Sequence, residues 1–209
     1  MAVNQIIVAG MGRCGTSLVL NAIQKATDTG HRWVTHLESA PRLSRKIIKT
    51  HDFAPQRRLP SHIKFVYLFG NPMQIVCSCE SKGPDFINKH YPHMNANPTD
   101  HPQVFSKDTM RLGDNVRSWF GASGIDILYL RYETLWDHNS EISDFLGFTV
   151  TLPPYRARKS NWLDHPQSGA LQDTYGELNQ YLLSAPDSFR KNGGDPSFLA
   201  GLKYYLLMR

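Results

Sequence analysis

Ile6-Ile7-Val8-Ala9-Gly10-Met11-Gly12-Arg13-Cys14-Gly15-Thr16-Ser17-Leu18 decides how the rest of this chain is read. A run too apolar to face water enters a glycine-rich turn, and the turn opens onto a segment of helical spacing, Ser17 to Ala26. Strand, glycine turn and helix start, in that order, gather backbone N–H groups and the positive end of a helix dipole around an anion. The stretch therefore predicts a bound phosphate.

The spacing from Gly10 to Gly15 is similar to the phosphate-binding loop (P-loop) of nucleotide enzymes, but the lysine that the pattern places next is Thr16. A cation stands inside the loop instead, at Arg13. A P-loop kinase is the nearest rival reading. It lacks that lysine, and no strand ends in an evident metal-holding Asp. A cysteine phosphatase built on Cys14 would need an Arg after five intervening residues, where Leu20 stands. Cys14 reads better as a small loop residue. Gly121-Ala122-Ser123-Gly124 lacks the pattern of a serine hydrolase.

The 209 residues fit one domain with a real core, and 41% hydrophobic with 20% charged residues is ordinary for a globular protein. No apolar stretch approaches the ~20 residues of a membrane span. The N-terminal segment lacks a signal-peptide pattern, because Gly10 and Arg13 interrupt it. Cys14, Cys77 and Cys79 make no disulfide framework, so a reducing, cytoplasmic location is expected. The net charge of +5 suits either an anionic ligand or plain solubility. Without a dense Lys/Arg run or a basic amphipathic helix, neither nucleic acid nor a membrane surface is indicated as partner.

Three further apolar runs read as buried parallel strands: Lys46–Lys49, Ile63–Phe69 and Asp126–Leu130. Helical spacing appears over Pro72–Glu80 with Asn71 as its cap, over Asp108–Phe120, and over Glu133–Leu146 stopped by Gly147. It recurs over Gln172–Leu183 and, after Gly193-Gly194, over Ser197–Leu207. Alternating strands and helices predict an α/β fold with a central parallel sheet flanked by helices. Residues 83–103, rich in Pro, Asn, His and Asp, read as a long loop of the kind that covers active sites. Residues 152–169 form a second irregular stretch, carrying Arg156, Arg158 and Lys159.

Candidate chemistry gathers at strand ends. Ile47-Ile48-Lys49-Thr50-His51-Asp52 ends a short strand in a cation and an imidazole two residues apart. They read either as a surface Lys with a capping His, or as an anion ligand and a proton acceptor at the carboxyl edge of a parallel sheet. Val66-Tyr67-Leu68-Phe69-Gly70-Asn71-Pro72, with Ser78 beyond it, brings a second strand into a helix N-terminus. Tyr132, just past the strand Asp126–Leu130, is placed to stack on a base or to pack the core. His90, His93 and His101 with Asp100 match no strong zinc spacing and read as a polar lid or as solvent-facing residues.

Taken in order, these pieces resemble the sulfotransferase family, which uses the donor 3′-phosphoadenosine 5′-phosphosulfate (PAPS). Gly12-Arg13-Cys14-Gly15-Thr16-Ser17 looks like the family's 5′-phosphosulfate loop, usually with Ser at the Cys14 position. Lys49-Thr50-His51 resembles its Lys-Thr-His segment, whose His is the catalytic base in the cytosolic branch. Asn71-Pro72 with Ser78 resembles its 3′-phosphate motif. Arg131-Tyr132-Glu133-Thr134-Leu135 is similar to a segment whose Tyr lies near the adenine. Arg158-Lys159-Ser160-Asn161-Trp162 is a looser match to a segment that closes over the nucleotide.

The resemblance implies a P-loop NTPase-like sulfotransferase fold and sulfuryl transfer to a hydroxyl or amine, with PAP as product and no metal. His51 would be the base, and Arg13 and Lys49 would stabilise the transferring group. Gly12, Arg13, Cys14, Gly15, Thr16 and Ser17 would hold the 5′-phosphate, Ser78, Arg158 and Lys159 the 3′-phosphate, and Tyr132 the adenine. Phe86, His90, Tyr91 and His93 are candidate contacts for a small-molecule or carbohydrate acceptor. The chain departs from the family at Gly70, where an Arg is expected, and at Leu18, where cytosolic members carry an aromatic residue. It is also shorter than those enzymes, so their acceptor pocket does not carry over. The loss of that Arg leaves open a nucleotide-binding module that has lost transfer.

Overall fold

Strand β1 (Gln5–Gly10) is buried at every residue, and the sheet is assembled around it. The computed structural model describes residues 5–37, 47–56, 59–60, 62–158 and 161–191. β1 pairs in parallel with β3 (Ile47–Lys49) on one side, with Val8 opposite Lys49. On the other side it pairs with β4 (Ile63–Phe69), with Gly10 opposite Leu68. β2 (His31–Trp33) adds in parallel to β3, and β5 (Asp126–Arg131) in parallel to β4. The order is β2-β3-β1-β4-β5-β6, and β6 (Ser188–Lys191) runs antiparallel at the edge.

This is the expected α/β class. Five parallel strands need both faces covered, which the helices supply. The chain leaves β1 toward one edge and β4 toward the other, so the carboxyl ends of these two neighbours form the switch point where open α/β sheets bind ligands. The glycine loop lies at that point.

Local chemistry sets most of the helix ends. α1 spans Thr16–Thr27. α2 (Pro72–Glu80) starts where Pro72 needs no amide partner and where the Asn71 side chain accepts from the Gln74 N–H. α4 begins at Leu112, later than its spacing predicts, because the Asp108 carboxylate accepts from the N–H groups of Leu112 and Gly113 and fixes the start there. The predicted helix 133–146 divides into a 3₁₀ segment, Tyr132–His138, and α5 (Asn139–Leu146), which Gly147 ends at φ 81°. α6 covers Ser168–Ser184.

Residues 83–103 are not the long loop that their composition predicts. They fold as α3 (Pro84–His90) and 3₁₀ turns at Tyr91–Met94 and Pro98–Gln103. Each piece carries Pro in its first turn, and buried Ile87, Tyr91 and Met94 pin the segment to the body. Residues 152–158 carry no regular structure, as expected, and a 3₁₀ turn follows at Trp162–Asp164.

No local signal in the sequence announces the antiparallel edge. Buried Arg131 holds it: its Nε donates to Asp187 at 2.6 Å and its Nη2 to the carbonyls of Leu182 and Ala185 at 2.7 Å. Phe189 then stacks on Tyr129 at 4.3 Å. No described helix is long and apolar enough to cross a membrane. Lys46, Gly193-Gly194 and the helix expected over Ser197–Leu207 lie outside the described residues.

Candidate active site

The loop after β1 is held by main-chain conformations that side chains rarely adopt, with φ 77° at Gly12, 50° at Arg13 and 86° at Gly15. Space forbids larger residues as well. A Cβ on Gly15 would lie 2.6 Å from the Tyr132 ring, and one on Gly10 would lie 2.5 Å from the Leu68 carbonyl. Gly15 caps α1 without a side-chain hydrogen bond, and the first turn holds no acidic residue. Within that turn the N–H groups of Leu18 and Val19 already donate to the Gly15 carbonyl, and the earlier ones, which come before the helix ladder begins, suit an anion. Thr16 and Ser17 stand in the same turn.

Cys14 is not a nucleophile. Its thiol donates to the Leu68 carbonyl at 3.1 Å, and burial pushes its pKa up to about 12, so the thiolate needed for attack is absent near neutral pH.

Lys49 and His51 come to the same place from β3. The Lys49 ammonium donates to Ser17 Oγ at 2.5 Å and lies 4.8 Å from the Trp33 ring centre. Burial lowers its pKa, and Arg13 adds to the effect. His51 is buried, with Nδ1 at 2.8 Å from the Gly10 carbonyl. A carbonyl can only accept, so Nδ1 carries the proton and the neutral ring keeps its lone pair on Nε2. Burial, then His90 and Lys49, hold the His51 pKa well below its ordinary value.

The main chain at His51 is itself fixed from α4. Asn115 Nδ2 donates to the carbonyls of His51 and Asp52, and Trp119 Nε1 to that of Asp52. The surface Lys with a capping His is therefore not what forms here.

Arg13 crosses to α2, where its Nε donates to Ser78 Oγ at 3.1 Å, and its guanidinium lies 5.3 Å from the Phe86 ring centre. Arg13, Gly15, Thr16, Ser17, Lys49, His51 and Tyr132 line one cavity of ≈ 350 Å³ together with Leu18, Trp33, Phe86 and His90. The Arg158 guanidinium lies over Tyr132, 4.3 Å from the ring centre. Arg158 Nη2 is 3.9 Å from Glu133 Oε1 and is buried without a hydrogen bond. Arg156 is exposed, and Lys159 lies outside the described residues.

The fold is similar to that of mouse sulfotransferase SULT7A1 complexed with PAP, at 16% identity over 88% of this chain and 90% of that one, with a TM-score of 0.47. It is also similar to retinol dehydratase in a complex with retinol and PAP, at 15% identity over 87% of this chain, with a TM-score of 0.44. The match spans 65% of the dehydratase, under two thirds of its length. No protein-family model matches the chain, and no curated protein does.

Of the acceptor contacts expected in 83–103, Phe86 and His90 reach the cavity, and His93 packs on Trp33 at 4.6 Å. Tyr91 does not. Its hydroxyl is bound to His101 Nδ1 at 2.7 Å, and His101 Nε2 meets Glu80 at 2.6 Å, an arrangement that ties the segment to α2. Trp33 gives no signal in the sequence, because a three-residue edge strand leaves no periodicity to detect.

The buried histidines tie stability to pH. His90 falls from 6.5 to about 4 through burial and the nearby Arg13, His93 and Lys49, and His51 falls too. The unfolded chain therefore binds more protons than the native one between these values, and stability declines as pH drops through that window. A tenfold difference in proton affinity between the two states is worth about 1.4 kcal/mol. Melting temperature should fall clearly between pH 6.5 and 4.5, and less so in His90→Phe. An equal slope in that variant would show that His90 takes no part.

Proposed function

We propose that this protein is a sulfotransferase that moves a sulfuryl group from PAPS to a hydroxyl or amine of a small-molecule or carbohydrate acceptor. One observation carries the reading. A neutral imidazole with its proton fixed on Nδ1 meets two cations, Arg13 and Lys49, in one cavity at an anion loop.

The residues present suit the nucleotide. The first turn of α1, with Thr16 and Ser17, fits a 5′-phosphate, and Gly12, Cys14 and Gly15 keep the loop narrow. Ser78 and Arg158, whose buried Nη2 lacks a partner, fit a 3′-phosphate, and Lys159 is proposed to join them. Tyr132 fits the adenine side.

PAPS supplies the electrophile: the acceptor oxygen bonds to sulfur as the bond from sulfur to the 5′-phosphate oxygen breaks, and that electron pair leaves on PAP. His51 Nε2 takes the acceptor's proton as the attack proceeds. Lys49 and Arg13 offset the charge that builds on the transferring and departing oxygens. Side chains supply this positive charge, so the scheme requires no metal.

Calorimetry with PAP and an assay with sulfur-labelled PAPS over a panel of alcohols, phenols, sugars and amines test the reading. PAP binding together with label transfer supports it. Tight binding without any transfer would leave a nucleotide-binding module, and absence of both would reject sulfotransferase and module alike.

A further inference from the structure

Resting on the sulfotransferase reading, we propose that His90 is a second imidazole of the transfer site, its Nε2–H donating a hydrogen bond to an oxygen of the sulfuryl group held over the loop at Gly12 and Arg13.

The ring sits directly against that loop. His90 ends α3, and its Nε2 lies 2.9 Å from the point where a Cβ on Gly12 would stand, with Met94 Sδ at 2.8 Å from the same point. A side chain at position 12 would thus displace His90 from the loop. The imidazole stacks on Phe86 at 4.9 Å, and its edge meets His51 at 5.4 Å. It is therefore a packed wall of the cavity that holds Arg13, Lys49 and His51.

The unsatisfied atom is what points to a ligand. Among the described residues, His90 Nε2 is buried and has no hydrogen-bond partner. Buried polar atoms are nearly always paired, and an exception in a native structure calls for a partner from outside the chain. The charged groups around it, Arg13 and Lys49, are donors and select an anion. Burial and those same cations keep the ring neutral, so one nitrogen carries a hydrogen, and an anion's oxygen needs that nitrogen to be Nε2. Because His90 adjoins His51, where the proton leaves the acceptor, the oxygen it meets belongs to the transferred group rather than to the 5′-phosphate. Segment 84–94 then completes the transfer site, beyond any role in covering it.

His90→Phe and His90→Gln distinguish this from simple packing. Phe fills the slot between Phe86 and His51 but has no donor, whereas Gln places an N–H at similar reach. Each variant is checked for folding by thermal melting, then for PAP dissociation constant, kcat and KM. Expected are kcat lowered roughly tenfold in His90→Phe, largely restored in His90→Gln, and a PAP dissociation constant unchanged in both. Three results overturn the proposal: full activity in His90→Phe, equal loss in both folded variants, or a loss of PAP affinity parallel to the loss of kcat. Wild-type protein with neither PAP binding nor transfer rejects the sulfotransferase reading instead, while an active wild type with an inert His90 rejects this assignment alone.

Discussion

His51→Asn is expected to lower turnover about 10³-fold while leaving PAP affinity within about twofold. Asn is chosen over Ala for a structural reason. His51 Nδ1 satisfies the Gly10 carbonyl at the entrance to the anion loop, and an Ala would leave that buried acceptor bare. An Asn amide can still donate to Gly10 but offers no basic nitrogen at the position of Nε2. His51→Ala should abolish turnover too, with an added loss of melting temperature that Asn avoids. The pH profile supplies an independent check. On the proposed mechanism the active form is the neutral ring, and its pKa in the free protein lies well below the usual histidine value. The acid limb of kcat/KM should therefore fall below pH 6.5, and it should vanish from the residual activity of His51→Asn. Normal turnover in either variant, or an acid limb that survives in the Asn form, would show that another group takes the proton.

How much of this was legible in the sequence depended on the range of the interaction concerned. Ile63–Phe69 and Pro72–Glu80 are read with their observed limits, because a continuous apolar run and a Pro after an Asn cap are local signals. The convergence of Lys49 and His51 on the loop was legible for a related reason: neighbouring parallel strands bring their carboxyl ends to one edge. Elements held by distant partners were not legible. β6 depends on Arg131 reaching Asp187, Leu182 and Ala185, and the start of α4 depends on the Asp108 side chain. The Asn115 and Trp119 contacts that fix the main chain at His51 join residues more than 60 apart in sequence. The helices in 83–103 are short and polar, so only their Pro residues announced them, and composition alone reads those as loop.

Arg158→Met is expected to weaken PAP binding by roughly ten- to over a hundredfold, the loss of one charge-assisted hydrogen bond of about 1.5–3 kcal/mol. The expectation comes from Gly70, where the family pattern places an Arg. A Cβ at this position would lie 3.1 Å from both Glu133 carboxylate oxygens and 3.3 Å from the Tyr132 Cβ. Glu133 therefore fills the space beside Gly70, where it accepts from the Asn71 N–H at 3.1 Å, and Arg158, over the Tyr132 ring, has its Nη2 3.9 Å from the same carboxylate. On the proposed function, the guanidinium at position 158 would take the part of the one missing at position 70. Adenosine 5′-phosphosulfate, which lacks the 3′-phosphate, separates this role from a general one: its affinity should change little in Arg158→Met. Gly70→Arg should not tighten PAP in the wild-type background, because the new side chain meets Glu133 in a place already served by Arg158. In the Arg158→Met background the same change should recover a large part of the lost affinity, so the two substitutions are strongly non-additive. Equal weakening of both nucleotides by Arg158→Met, or equal tightening by Gly70→Arg in the two backgrounds, would mean that the 3′-phosphate is held by neither residue.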